Sequence, residues 1–427
     1  MQQSKMRMSR GFYTIMAAQF FSSLADNALL IAAIALLSEL HSPQWMTPLL
    51  KLFFGLSYVA LAAFVGAFAD AWPKGRVMFI TNLIKIFGCA SMFAGVHPLA
   101  AYAIVGLGAA AYSPAKYGIL TELLPAEKLV MANGWIEGLT VASIILGAVL
   151  GGALINPLVS AALLSFDMPL IETGVNTPIK ASLSVIAAIY LIAASFNLKI
   201  PETGVHYPRQ KQHPWHLIID FAHCTKTLWR DKLGQISLGV TTLFWGAGAT
   251  LQFLVLKWAE HSLHLALDRA AILQGVVALG VAGGAIAAAR YIPLKKSLTV
   301  MPLGVLMGVV VMSMTLINNV WMAYPLLFLI GILSGFFVVP MNALLQHRGH
   351  VLMSAGHSIA VQNFNEQVSV LVMLLLYAIM IKLNIDVNLI IILFGLFVAA
   401  TMLLMMRKHK LNQREFDSLA LIGEHKH

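Results

Sequence analysis

Charge is scarce in this chain: Asp, Glu, Lys and Arg make up 11% of its 427 residues, against about 25% in soluble domains. So few charges cannot cover a water-facing surface when 59% of the side chains are hydrophobic, which excludes an ordinary soluble protein and makes a bilayer the solvent. Cysteine is nearly missing. Cys89 falls inside an apolar run and Cys224 in a central polar stretch, so there is no disulfide framework to read. No Gly-Lys dipeptide occurs, hence no phosphate-cradling loop, and ATP does not drive the protein directly. The His-x4-Asp pair of membrane acyltransferases is absent as well, because His216/Asp220 and His264/Asp268 are each one residue too close. Among 14 histidines none forms a His-Glu-x2-His zinc pair, and the terminal His425 and His427 read as loop residues. Strict apolar/polar alternation is missing too, which excludes a transmembrane β-barrel.

Long apolar runs are what the chain has instead. Segments of roughly 20 residues suffice to cross the hydrocarbon as helices, and they are expected near 12–38, 48–70, 77–96, 99–122, 131–155, 179–198, 235–259, 270–290, 299–317, 321–345, 354–381 and 387–406. The start, with Lys5, Arg7 and Arg10 ahead of an apolar run, is longer than a cleavable signal and reads as an uncleaved first helix. Formal net charge is +10, but most of the 28 lysines and arginines cluster at the termini and after even-numbered spans. That is the positive-inside pattern: it places both termini in the cytoplasm and accounts for the charge without nucleic acid.

The layout implies an all-α polytopic membrane protein with twelve transmembrane helices in two six-helix bundles, the plan of a rocking transporter. The expected divisions are an N-terminal bundle over 1–199, a cytoplasmic linker over 200–232, a C-terminal bundle over 233–408 and a cytoplasmic tail over 409–427. In the linker, Trp215, Leu217, Ile218, Phe221, Leu228 and Trp229 alternate with Lys226, Arg230 and Lys232, a pattern for a short helix lying on the inner leaflet. The halves repeat weakly. Gly108 through Pro114 to Lys116 matches Gly335 through Pro340 to Asn342, so each half carries a proline-bearing helix where a kink is expected. Likewise Gly66 to Arg76 corresponds to Gly284 through Lys296, with Ala288 where the first copy has Asp70.

The loop after the second span, Gly66-Ala-Phe-Ala-Asp70-Ala-Trp-Pro-Lys74-Gly75-Arg76, resembles the major facilitator signature, although its Gly-Arg pair sits two residues further from the aspartate. The resemblance implies a cytoplasmic gate in which Asp70, Lys74 and Arg76 form a charge network. Further stretches narrow the family: Ala25-Asp26-Asn27, Ala111-Tyr-Ser-Pro114-Ala-Lys116-Tyr117-Gly118, Leu243-Phe-Trp-Gly-Ala-Gly248, Gly335-Phe-Phe-Val-Val-Pro340-Met-Asn342 and Ala360-Val-Gln362-Asn363. In this order they resemble the bacterial lysophospholipid transporters. The family implies flipping of lysophosphatidylethanolamine and lysophosphatidylglycerol from the outer to the inner leaflet of the bacterial cytoplasmic membrane by alternating access. An acyltransferase partner there restores the missing chain. No cofactor is implied, and coupling to Na⁺ or H⁺ through Asp26 or Glu366 stays open. A drug or small-solute carrier of the same fold is the alternative, separated by the motifs of the fourth, tenth and eleventh spans.

Ionisable groups within spans are costly and normally face a cavity or a partner, so Asp26, Lys85, Lys116, Glu137 and Glu366 require explanation. Lys116, two residues past Pro114, is a candidate phosphate partner, with snorkelling or pairing to Glu122 or Glu137 as the alternative. Asp26 with Asn27 interrupts an apolar helix near its middle and suits a headgroup ammonium or a cation. Gln362, Asn363, Asn365 and Glu366 make a polar cluster whose members either bind the headgroup or tie helices together. Tyr112, Tyr117, Phe244, Trp245, Gln252 and Asn342 are expected to line the cavity. Gln252 stands where the family carries a basic residue. Gly147, Gly151 and Gly152 read as close helix packing.

Overall fold

The computed structural model describes residues 8–43, 46–165, 174–205, 207, 213–265 and 267–422. The expectations for Lys5, Arg7, His425, His427 and linker residues 206 and 208–212 lie outside the described residues. Within them the chain is helical throughout: α1 (Arg10–Glu39), α2 (Met46–Ala71), α3 (Lys74–Phe93), α4 (Pro98–Leu123), α5 (Leu129–Ile155), α6 (Pro157–Leu164), α7 (Pro178–Asn197), α8 (Pro214–Arg230), α9 (Gly234–Leu263), α10 (Leu267–Tyr291), α11 (Met301–Met312), α12 (Val320–Leu352), α13 (Ala355–Lys382) and α14 (Val387–Glu415). Short 3-10 turns precede α5 and flank α11, so that the ninth span, Leu294–Leu316, is helical by two hydrogen-bonding patterns.

Eleven of these stretches are long and apolar enough to cross a membrane, counting the described residues only. The twelfth expected span, α4, is 26 residues long, but Tyr112, Ser113, Pro114 and Lys116 dilute its hydropathy. Boundaries follow local chemistry. Ser9, Thr177, Asn319, Ser354 and Asp386 cap their helices by accepting a backbone N–H from the first turn, which satisfies donors that a helix start leaves orphaned. Pro178 opens α7, where a missing N–H costs nothing. At the other ends, His41, His264 and Asn384 take the left-handed conformation with φ near +52° to +53°, so their chains turn out of the helix without glycine. Both α4 and α12 continue through their internal prolines, Pro114 in one and Pro325 and Pro340 in the other. Two helices are not spans: α6, which the sequence reading did not anticipate, and α8, the expected linker helix.

The chain divides into two compact units. One comprises Met1–Ile119 with Ala142–Ile218, the other Leu120–Val141 with Ile219–His427. The C-terminal end of α4 and the first half of α5 therefore group with the second unit, although the expected bundles divide at 199/200. In the first unit α7 packs on α1 and α3, around Ala25, Ala28, Leu29, Ala32, Tyr102 and Tyr190. In the second, α10 packs on α12, α11 on α14 and α13 on α9, around Trp258, Leu254, Leu327, Ile330 and Ile391. Small residues permit the closest crossings. A Cβ on Gly147 or Gly151 would meet Asn27 or Ile31 of α1 at 2.6 or 2.7 Å, so these two serve close packing as expected. Gly152 has nothing within 4 Å.

Candidate functional site

In the first unit the buried charges meet. Asp26 stands near the middle of α1, and its carboxylate accepts from Lys85 Nζ of α3 at 2.7 Å and from Tyr190 Oη of α7 at 2.7 Å. Lys85 also donates to Ser22 Oγ at 3.0 Å, and Ser22 donates to Asn82 Oδ1 at 2.8 Å. Three apolar helices can hold these groups because Ser22 and Asp26 are four residues apart and Asn82 and Lys85 three, so each pair shares a helix face. The Lys85 side chain is 2% exposed and that of Asp26 18%; the pair is sealed on the lysine side and reachable on the carboxylate side. A carboxylate offers about four acceptor positions, and the two bonds above leave the rest for a ligand.

The ring of Tyr112 lies 4.9 Å from Lys85 Nζ, and the buried Tyr112 hydroxyl makes no hydrogen bond among the described residues. One helical turn further along α4, on the same face as Tyr112, stands half-buried Lys116, its Nζ 4.2 Å from the centre of the Tyr117 ring. Asn27 turns back on its own helix, donating to the Ser23 carbonyl at 2.8 Å. Lys85, Tyr190, Ser22 and Asn82 were not among the expected binding residues. For Lys85 the signal was its charge within a span. For Ser22 and Asn82 it was their spacing from Asp26 and Lys85, whereas Tyr190 left none beyond a hydroxyl in an apolar helix.

The second unit holds a smaller polar cluster. Gln362 Nε2 donates to Glu366 Oε1 at 2.8 Å, one turn along α13, and reaches Asn342 Oδ1 of α12 at 3.2 Å. All three residues are buried, and Gln362 Oε1 has no hydrogen-bond partner among the described residues. Buried Glu137, in the half of α5 that groups here, lies within electrostatic reach of Glu366. Asn363 is half-buried on the flank. Asn365 does structural work, accepting from Trp229 Nε1 of α8 at 3.2 Å and donating to the Val361 carbonyl. Phe244 packs edge-on to Trp245 at 5.8 Å and against Phe337 at 6.0 Å. Exposed Gln252 is engaged with Gln274 of α10, donating to its Oε1 at 3.2 Å and accepting from its Nε2 through the backbone carbonyl.

At the turn after α2 the expected charge network is partly local. Asp70 and Lys74, both buried, pair at 2.6 Å, and Lys74 also donates to the Ala69 carbonyl and lies 4.9 Å from the Tyr207 ring centre. Arg76 does not join them; it is 62% exposed and pairs with Glu202 at 3.4 Å. The two-residue offset in the signature has this physical meaning: Lys74, the first residue of α3, folds back across the turn to the carboxylate of Asp70 near the end of α2, and Arg76 points past it.

Comparison with known proteins agrees with this architecture. The Major Facilitator Superfamily model matches residues 15–369. Proteins named lysophospholipid transporter LplT from Pectobacterium carotovorum subsp. carotovorum and Yersinia enterocolitica are each 42% identical over 382 residues, 89% of this chain and 89% of theirs. The Yersinia pestis (strain Pestoides F) protein of that name is 43% identical over 379 residues, 88% of either chain. Among solved structures, the FucP transporter in the outward conformation superposes with a TM-score of 0.73 at 12% identity, over 94% of this chain and 98% of its own. A bacterial homologue of ferroportin, outward-facing, does so with 0.69 at 13%, over 95% and 100%. At such identities the structures speak for the fold alone, while the sequence relatives reach the family. With eleven helices of membrane-crossing length and hydropathy among the described residues, an acid-and-base turn after the second and relatives sharing two residues in five, this chain belongs to the major facilitator superfamily and, within it, to the lysophospholipid transporters.

Proposed function

We infer that the protein transports lysophospholipids across a membrane. The observation that carries this is the resemblance of nearly nine-tenths of the chain, at 42% identity, to transporters of that name, and the geometry suits it. A lysophospholipid has a zwitterionic or anionic headgroup and a single acyl tail. The headgroup needs a carboxylate for an ammonium and cationic or hydroxyl donors for a phosphate. Asp26, Lys116 and Tyr112 supply these in the first unit; Glu366, Gln362 and Asn342 offer acceptors and an amide in the second. An apolar tail needs no partner beyond the helices' own surface and lipid.

The finer reading is that movement runs from the outer to the inner leaflet of a bacterial cytoplasmic membrane by alternating access of the two six-helix halves. Both termini are then cytoplasmic. Lysophosphatidylethanolamine and lysophosphatidylglycerol are the substrates, and an acyltransferase on the cytoplasmic side consumes the product. Removal of the product by reacylation makes net flow downhill without ATP. Asp26 and Glu366 are the carboxylates through which Na⁺ or H⁺ would assist. The Asp70–Lys74 pair, with Arg76 nearby, would hold the cytoplasmic end closed in part of the cycle.

The test is transfer in proteoliposomes of labelled lysophosphatidylethanolamine beside a lipophilic cationic dye of the kind that drug carriers move, with Na⁺ and pH gradients varied separately. The reading predicts protein-dependent transfer of the lysolipid and none of the dye. Dye transport without lysolipid transfer would overturn it, and flux that follows neither gradient would remove the coupling role.

A further inference from the structure

The linker helix α8 has an apolar face that packs on the protein and an exposed face that mixes apolar and basic side chains. Leu217, Phe221, Cys224 and Leu228 recur at four- and three-residue spacing and form the inner face. Phe221 and Leu228 are buried, with the Phe221 ring edge-on to Phe364 of α13 at 5.4 Å. On the other side Ile219, Ala222, Lys226, Trp229 and Arg230 recur at the same spacing and are exposed, Ile219 to 51% and Trp229 to 39%. Trp229 is fixed by its N–H to Asn365, which leaves its ring at the rim, the placement tryptophan takes where one edge is apolar and the other wet.

Lys226, Arg230 and the adjoining His223 form no ion pair among the described residues. The acids nearest in sequence are used elsewhere. Asp231 is held bidentately by Arg348, with Nε–Oδ1 2.9 Å and Nη2–Oδ2 2.8 Å, and also accepts from the Leu233 and Gly234 amides. Glu415 takes Lys232. Asp220, the one carboxylate on α8, falls beside His216 and His223 by helical spacing and away from Lys226 and Arg230.

An exposed face on which apolar side chains interleave with unneutralised basic ones is the complement of a bilayer surface carrying anionic headgroups, the long basic side chains reaching up to the phosphates. We propose that the outer face of α8 docks on the anionic phospholipids of the surrounding membrane, Ile219, Ala222 and Trp229 entering the acyl boundary and Lys226 and Arg230 taking phosphodiester groups. The inner face stays on α13 and α9. The ligand is bilayer lipid and not transported substrate, so the proposal stands whatever the headgroup specificity of transport.

The experiment uses full-length protein with Cys224→Ser and Ala222→Cys, nitroxide-labelled at residue 222; Cys89 is buried and remains. The label's collision accessibility to oxygen and to a nickel chelate is measured in nanodiscs of phosphatidylcholine and in discs with equal parts phosphatidylglycerol. The proposal predicts higher oxygen and lower nickel accessibility in the anionic discs. Lys226→Gln/Arg230→Gln should weaken the preference for them on the order of thirtyfold, and Lys226→Arg/Arg230→Lys should retain it. Equal accessibility in both discs, an unaltered response in the glutamine variant or a lost response in the charge-conserving one would each overturn it.

Discussion

Lys85 shows what a buried charge costs and what makes it tolerable. A lysine at a helix centre costs about 2.5–3.5 kcal/mol on insertion scales, and here it is met by Asp26 at 2.7 Å, Ser22 at 3.0 Å and two tyrosine rings. Removing one member of such a pair strands the other, at about 3–5 kcal/mol. Lys85→Met should therefore lower the thermal midpoint of the detergent-solubilised protein sharply, while Lys85→Met with Asp26→Asn recovers much of it; equal midpoints for wild type and single variant would contradict the pairing. Another residue-scale lock is the reciprocal amide pair of Asn133 and Gln346, with Nδ2–Oε1 2.8 Å and Nε2–Oδ1 2.9 Å, both side chains buried. In a double-mutant cycle Asn133→Ala and Gln346→Ala should couple by about 1 kcal/mol or more, and additive losses would refute the pair. Little of this was legible beforehand. Charge within an apolar run marked Asp26, Lys85 and Glu366 as needing partners, but Tyr190 comes to Asp26 from 164 positions away. Gln252, expected at a cavity, is bound to half-buried Gln274 of the crossing helix, whose amide accepts from its side chain and donates to its backbone carbonyl.

Elements were the most readable level, since an apolar run of bilayer length leaves its backbone no choice but helix. The helices stand where the apolar runs placed them, some with longer C-terminal ends: α12 runs to Leu352 where 345 was expected, because Gln346, His347 and Arg348 pack inside the protein and do not end the helix at a water boundary. The small α6 escaped notice since eight residues carry no periodic signal. Helix pairing was also beyond reach, although one seam was written in glycines. Gly280 and Gly284 of α10 oppose Gly331 and Gly335 of α12, each so close that an added Cβ would strike the other backbone. Gly284→Val or Gly335→Val should abolish recovery of monodisperse protein, whereas Gly283→Val, with nothing within 4 Å, should leave it near wild type. Equal recovery of all three would contradict the crossing.

For the whole molecule, the sequence carried the composition of a membrane protein, the all-helical two-bundle plan and the family. It did not carry the grouping of 120–141 with the second unit, because α4 and α5 are covalently continuous across that division and only spatial neighbours reveal it. The account's central proposal is that the carboxylates of Asp26 and Glu366 each contact the polar end of a single-tailed lipid during transport. The most direct test is the rate at which headgroup-labelled lysophosphatidylethanolamine changes leaflet in proteoliposomes holding wild type, Asp26→Asn or Glu366→Gln. Loss of one charge-assisted bond corresponds to about 10- to 100-fold, so each variant should slow transfer by that factor per folded molecule, Asp26→Asn being measured beside Lys85→Met/Asp26→Asn because the single change strands buried Lys85. Transfer at the wild-type rate in both folded variants would contradict it.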